Sequence, residues 1–228
     1  MNRLIASLSF SVSMVALASG SASAGTFVTV PGTSNTWLAG MPDGSTAGNG
    51  QDFAPTNSPV LAPVSVTGGD VFTFDATGSV LNGDGPLTLG PDGDLGAYQA
   101  RIPGPENGIA DMFGPINSLI GVFLSDEQPD GSPTPNGLDF SAEGLGLNFS
   151  SLSPLLKQPF FIGDGQTDDT RVVQEFIAPA GATRLFLGTM DGFGWFNNIG
   201  EFQVRIVPTP GAAMVGGLMG LVTLRRRR

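Results

Sequence analysis

Thr183-Arg184-Leu185-Phe186-Leu187-Gly188-Thr189 and Gly200-Glu201-Phe202-Gln203-Val204-Arg205-Ile206-Val207 are the two stretches on which the fold turns. In the second, Phe202, Val204 and Ile206 alternate with Glu201, Gln203 and Arg205, the two-residue period of a strand with one buried face. In the first, Leu185 and Leu187 face one way, with Arg184 and Phe186 opposite. Between them lies a polar and aromatic connector, Asp191-Gly192-Phe193-Gly194-Trp195-Phe196-Asn197-Asn198.

Further strands are expected outward from this pair. Arg171 to Ile177 is β-prone, and Leu119 to Leu124 is a nearly continuous apolar run suited to a central strand. Asp70 to Thr77 follows the Gly68-Gly69 turn and alternates in the same way. Thr26 to Val30 and Pro159 to Ile162 are shorter candidates, and Val60 to Val66 carries Pro63, which suits an edge or a bulge. Leu38 to Pro63 reads as loop with at most short strands, and Asn82 to Gly114 and Ser125 to Pro135 are further loop-rich stretches. One short helix is an option near Leu152 to Leu156, against Pro154. Many short strands separated by turn signals predict an all-β, two-sheet antiparallel sandwich. No strong internal repeat is visible.

Composition agrees. The 34 Gly and 18 Pro among 228 residues disfavour helices, while 40% hydrophobic residues suffice for a core. There is no Cys and no His. Disulfides, thiolate metal sites, His-ligated metals and Ser–His–Asp or Cys–His catalysis are therefore excluded. Any metal must be held by oxygen, which means Ca²⁺ or Mg²⁺. From Gly25 to Val207 the chain carries 20 acidic residues against Arg101, Lys157, Arg171, Arg184 and Arg205. That balance disfavours nucleic acid as a partner.

The ends have a different character. Arg3, the apolar Leu4 to Leu17 and Ala22-Ser23-Ala24 have the three parts of a cleavable secretory signal, residues 1–24. Near the other end, Val207-Pro208-Thr209-Pro210-Gly211 reads as a rigid break. An uncharged, mostly apolar run from Ala212 to Leu224 follows, then Arg225-Arg226-Arg227-Arg228, which would stay cytoplasmic as a stop. The apolar run is short for a full membrane span. This three-part tail, residues 208–228, resembles a PEP-CTERM sorting signal, with Pro208-Thr209-Pro210-Gly211 where Pro-Glu-Pro is usual. The resemblance implies transient membrane anchoring, cleavage by an exosortase-type processing enzyme, and release to the bacterial cell surface or extracellular polymer matrix. It leaves residues 25–207 as the folded domain.

Asp191, Asn197 and Asn198 are the sharpest candidate constellation in that domain. Asp and Asn oxygens are hard ligands suited to Ca²⁺, and Gly192 and Gly194 let the backbone curl to offer carbonyls. Phe193, Trp195 and Phe196 beside them have faces suited to stacking on a sugar. The same Asp, Asn and Gly also fill turns for backbone reasons alone, so spacing leaves a turn and a metal site both open. The acids Asp92, Asp94, Asp164, Asp168 and Asp169 read first as solvated loop carboxylates, with loose Ca²⁺ coordination as the next reading and an acid dyad for glycoside hydrolysis open in principle.

Gly181 to Asp191, followed by Asn197-Asn198-Ile199-Gly200-Glu201-Phe202-Gln203-Val204, resembles the C-terminal part of the LecA-like calcium-dependent, galactose-binding bacterial lectins. Gly69 to Gly78, Gly90-Pro91-Asp92-Gly93-Asp94 and Ser118-Leu119-Ile120-Gly121 are similar to earlier blocks of that family, in the same order, from about Val64 to Ile206. The resemblance implies a jelly-roll-like β-sandwich. It also implies Ca²⁺ held by the side chains of Asp191, Asn197 and Asn198 and by backbone carbonyls at Asn82 and Gly194, with Trp195 and Phe193 as ligand-binding aromatics. This chain departs from the pattern in three places. The Asp191 to Asn197 loop is one residue shorter, Asn82 replaces an aromatic residue, and the sugar-contacting His is absent. The functional expectation is an exported, non-enzymatic surface or matrix protein that binds glycan or matrix polysaccharide with the help of Ca²⁺. A purely structural matrix protein is the alternative, and an acid-dyad glycosidase the third.

Overall fold

The computed structural model describes residues 24–48 and 50–210, and within them the chain is all β. Fourteen strands form among the described residues. They are β1 (Thr26–Pro31), β2 (Thr46–Ala47), β3 (Asp52–Phe53), β4 (Val60–Leu61), β5 (Val71–Leu81), β6 (Asp94–Ala100) and β7 (Met112–Ile116), then β8 (Leu119–Leu124), β9 (Leu138–Asp139), β10 (Ser151–Leu152), β11 (Phe160–Phe161), β12 (Glu175–Ile177), β13 (Arg184–Thr189) and β14 (Ile199–Thr209). Short 3₁₀ turns lie at Thr36–Leu38, Pro129–Gly131 and Trp195–Asn197.

The alternation in β14 sets one face of the sandwich. Phe202, Val204 and Ile206 are fully buried, while Glu201 and Gln203 are exposed. β14 sits between β1 and β5, antiparallel to both, in a sheet ordered β1-β14-β5-β12-β10. Opposite it lies the sheet β11-β8-β13-β4, in which β13 and β8 pair antiparallel over their whole length.

Aromatic rings hold the two sheets together. Phe72 of β5 meets Phe123 of β8 at 5.6 Å, and Phe160 of β11 meets Phe176 of β12 at 5.3 Å. Phe123 and Phe160 stack within their own sheet at 5.2 Å. Each such pair adds about 0.5–1.5 kcal/mol to the gain from burial itself. A third sheet, β6-β7-β9, joins the same core through Met112 and Phe140. The pairing is antiparallel except between β10 and β12 and between β7 and β9.

The structure departs from expectation at several elements. β13 is buried on both faces. Its outer face is covered by the segment around Ser34 to Leu38, where Asn35 bridges to Thr189. A Cβ at Gly188 would lie 2.4 Å from Thr36 Oγ1 and 2.7 Å from the Ser34 carbonyl, so only glycine lets that segment approach.

Strand β6 lies inside the loop-rich stretch Asn82 to Gly114, and β7 begins within it. β6 has no buried apolar face to alternate, and Gly114-Pro115 interrupts β7. Only Glu175–Ile177 of the expected Arg171–Ile177 strand forms, because Thr167 to Val172 folds into a turn with Arg171 at φ 55°. Val60–Leu61 is a short edge strand on β13. No helix forms at Leu152 to Leu156; β10 takes Leu152 instead. β14 runs two residues beyond Val207, with Pro208 opposite Phe72 and Thr209 opposite Val71. The expected break after Val207 is therefore strand as far as Thr209. The expected secretory signal through Ser23, and Gly211 and Arg225 to Arg228 of the expected sorting signal, lie outside the described residues.

Candidate functional site

The connector from Asp191 to Asn198 is not a hairpin turn. β13 belongs to one sheet and β14 to the other, so the connector carries the chain across one end of the sandwich. Gly194, at φ 80°, takes the left-handed conformation that starts the 3₁₀ turn Trp195–Asn197.

Asp191 is buried (4% exposed). Its Oδ1 accepts the Phe193 N–H at 3.2 Å, and its Oδ2 has no hydrogen-bond partner. Burial pushes the carboxyl above its ordinary value; the Phe193 N–H, the adjacent Asn198 side chain and the Gly192 N–H offset this in part. Asn198 is also buried (5%). Its Nδ2 donates to the Gly32 carbonyl at 3.1 Å, and its Oδ1 is left without a donor.

The other candidate ligands differ. Asn197 is exposed. Asn82 lies one residue beyond β5, where Leu81 pairs with Ile199, and its Oδ1 accepts from Asn117 Nδ2 at 3.0 Å. A backbone-carbonyl role leaves that side-chain bond intact. Among the described residues no three His, Cys, Asp or Glu side chains cluster to hold a metal. A cation here must rely on amide and carbonyl oxygens around the single carboxylate of Asp191. That donor set, with two buried and unpartnered oxygens, fits a hard oxygen-seeking cation.

The aromatic residues sort differently from expectation. Trp195 has no accessible surface and offers no face to a sugar. Its Nε1–H donates to the Thr189 carbonyl at 2.9 Å, and its ring lies 5.4 Å from that of Trp37. It is a core residue because an indole buried at the sandwich end needs both a packing partner and an acceptor. Phe193 (39%) and Phe196 (53%) are the exposed rings of the connector.

A second buried polar cluster braces the connector from behind, and sequence reasoning missed it. The guanidinium of Arg101 lies 5.2 Å from the Trp195 ring and 5.4 Å from that of Trp37. It pairs with Glu106 and donates to the carbonyls of Ile102 and Gly192, the latter at 3.2 Å. Burial lowers its pKa, and the charges of Glu106, Asp52 and Asp111 raise it again.

Asp52 completes this cluster. Its Oδ1 accepts the Phe196 N–H at 2.8 Å, and its Oδ2 accepts Asn35 Nδ2–H at 3.0 Å and the Trp195 N–H at 3.2 Å. It thus caps the turn that carries Asn197 into Asn198. Burial still raises the Asp52 carboxyl, against these donors and Arg101. Nothing in the Gly- and Asn-rich stretch around Asp52 distinguishes it from a solvated loop acid.

The loop carboxylates lie elsewhere. Asp92, Asp164, Asp75, Gln166 and Arg171 line a cleft of about 460 Å³. Asp92 accepts the Asp164 N–H at 2.9 Å, and Asp164 pairs with Arg171 at 2.8 Å. Burial raises the Asp92 carboxyl, and the charges of Asp164 and Asp168 add to this. Asp94 accepts the Gly96 N–H at 2.9 Å in a local turn, and Asp169 accepts from the Thr170 hydroxyl at 3.0 Å.

No family model matches the chain, and neither does any curated protein. Among solved structures it is similar to the N-terminal domain of EclA, described as a PllA-like lectin, at 17% identity and a TM-score of 0.34. That similarity covers 80% of this chain and 95% of the other, and carries no functional assignment.

Proposed function

We propose that this chain is an exported bacterial surface or extracellular-matrix protein that binds a glycan with the help of Ca²⁺ at the Asp191–Asn198 connector. The observation that carries this reading is the pair of buried oxygens, Asp191 Oδ2 and Asn198 Oδ1, that no donor satisfies. Leaving a buried acceptor unpaired costs about 1–3 kcal/mol, so two in adjacent side chains call for a partner. Asp191 and Asn198 would hold the cation, with Asn197 and the backbone carbonyls of Asn82 and Gly194 as further donors. Ca²⁺ binds about 6–8 oxygens and so offers places to sugar hydroxyls in a domain whose own charge is negative. Phe193 and Phe196 stand exposed on the same connector, available to pack on the apolar face of a sugar ring. Nothing in this scheme requires covalent chemistry, which agrees with a binding role.

Export rests on the secretory-type N-terminus and the sorting-type tail. Intact-mass measurement of the secreted protein tests both, with loss of residues 1–24 and of the arginine tail expected. For the site, calorimetry with Ca²⁺ should show binding that Asp191→Ala abolishes, and a glycan array should show Ca²⁺-dependent retention. Binding of Ca²⁺ undiminished by Asp191→Ala would overturn the site. Ca²⁺ binding with no glycan retained would leave a structural cation in a matrix protein.

A further inference from the structure

Asn117 holds a third unpartnered oxygen near the connector. The residue is 2% exposed and sits in the turn between β7 and β8 at φ 66°. Its Nδ2 donates to Asn82 Oδ1 at 3.0 Å, which turns the amide oxygen away from Asn82; that Oδ1 is buried without a donor. Its backbone N–H donates to the Met190 carbonyl at 2.7 Å, next to Asp191, and Met190 N–H returns a bond to the Ser118 carbonyl at 2.8 Å. Leu81 pairs with Ile199, which brings Asn82 beside Asn198. Three segments distant in sequence therefore meet at one end of the sandwich.

Each nearby side-chain NH₂ makes one of the hydrogen bonds described above. Asn198 Nδ2 serves Gly32, and Asn117 Nδ2 serves Asn82. What remains is three buried acceptors, on Asp191, Asn198 and Asn117. Buried acceptors without donors are satisfied by a cation or by a buried water. A non-glycine residue at φ 66° is uncommon, and Asn tolerates it better than most, so the turn can present this amide inward.

We infer that Asn117 supplies its side-chain oxygen to the same cation as Asp191 and Asn198, and that its amide nitrogen fixes Asn82 beside them. This rests on the Ca²⁺ reading above and adds a ligand from outside the connector.

The test is Ca²⁺ calorimetry on the secreted protein and two variants, with thermal melts in EDTA. Asn117→Gly accepts φ 66° and removes the oxygen. It should weaken Ca²⁺ binding by about tenfold or more, while its melt in EDTA falls by the few degrees expected from the lost bond to Asn82. Asn117→Asp keeps the shape and adds charge. It should tighten Ca²⁺ binding, and should melt lower than the parent in EDTA because it places a second carboxylate by Asp191. Parent affinity retained in both variants would overturn the assignment of Asn117 alone and leave a buried water as its partner. If Asn117→Gly fails to fold, the affinity of Asn117→Asp decides. A parent protein that binds no Ca²⁺ overturns the site and this ligand together.

Discussion

Two buried polar clusters flank the connector between β13 and β14, and they are built on opposite terms. Around Asp52 the donors and acceptors nearly match. The carboxylate accepts three N–H groups, and Arg101 lies between two indoles with Glu106 as its ion partner. Around Asp191 they do not match, for Asp191, Asn198 and Asn117 each keep an oxygen without a donor. Both carboxyls are raised by burial, so desolvation alone does not separate them. The difference lies in the hydrogen bonds. The first cluster is satisfied within the chain except at Arg101 Nε, and it sets the position of the turn Trp195–Asn197.

The sharpest way to break this contrast is a matched pair of substitutions in EDTA. Asp52→Asn turns an NH₂ toward groups that are themselves donors and should cost about 2–4 kcal/mol by urea or thermal unfolding. Asp191→Asn removes a buried charge from a site poor in donors and should cost less than about 1 kcal/mol. Equal losses would mean that the two clusters are of one kind.

Next in size is the response to Ca²⁺. At a hundredfold excess over Kd, the parent should gain about 2.7 kcal/mol. That corresponds to about 5–10 °C in Tm for a domain of this size. The gain should vanish in Asp191→Ala and persist in variants of the Asp52 cluster that fold.

Smaller again is Trp195→Phe, which loses the bond to the Thr189 carbonyl and leaves a gap beside Arg101. It should cost about 2 kcal/mol in unfolding experiments and leave Ca²⁺ affinity within about twofold, since the indole is core and not ligand.

The smallest effect concerns pH. Asp92 is raised in the folded state, so its contribution is fully present below the ordinary carboxyl value of 3.8 and is lost as pH rises through its folded value. Between 3.8 and its raised folded value the folded protein holds more protons at this group than the unfolded chain, and acidification through that window favours folding. Asp92→Asn keeps an acceptor for the Asp164 N–H and should flatten that part of the stability profile, measured as Tm against pH in EDTA.

The strands were legible wherever one face was buried and the other wet. β14 shows this best, since Phe202, Val204 and Ile206 declare their face by period alone. β5 and β8 were legible for similar reasons, being an alternating run and a continuous apolar run. β6 was not, because a strand at the margin that buries neither face leaves no period to read. The alternation in β13 did not show that both its faces are buried, because the cover for its outer face comes from residues about 150 positions earlier, around Ser34 to Leu38.

Residue chemistry alone already confined any metal site to oxygen ligands, since there is no Cys or His to offer another donor. It also picked out Asp191, Asn197 and Asn198 as candidates. Their differing environments came from the packing. Folding buries Asp191 and Asn198, leaves Asn197 in solvent and turns Trp195 into core. It also brings in Asp52, Arg101 and Asn117 from loops whose composition marks them as nothing but loops. The physical reason is that burial and hydrogen-bond satisfaction are properties of neighbours in space. Those neighbours stand here up to 166 residues apart, as Asn198 does from the Gly32 carbonyl to which it donates.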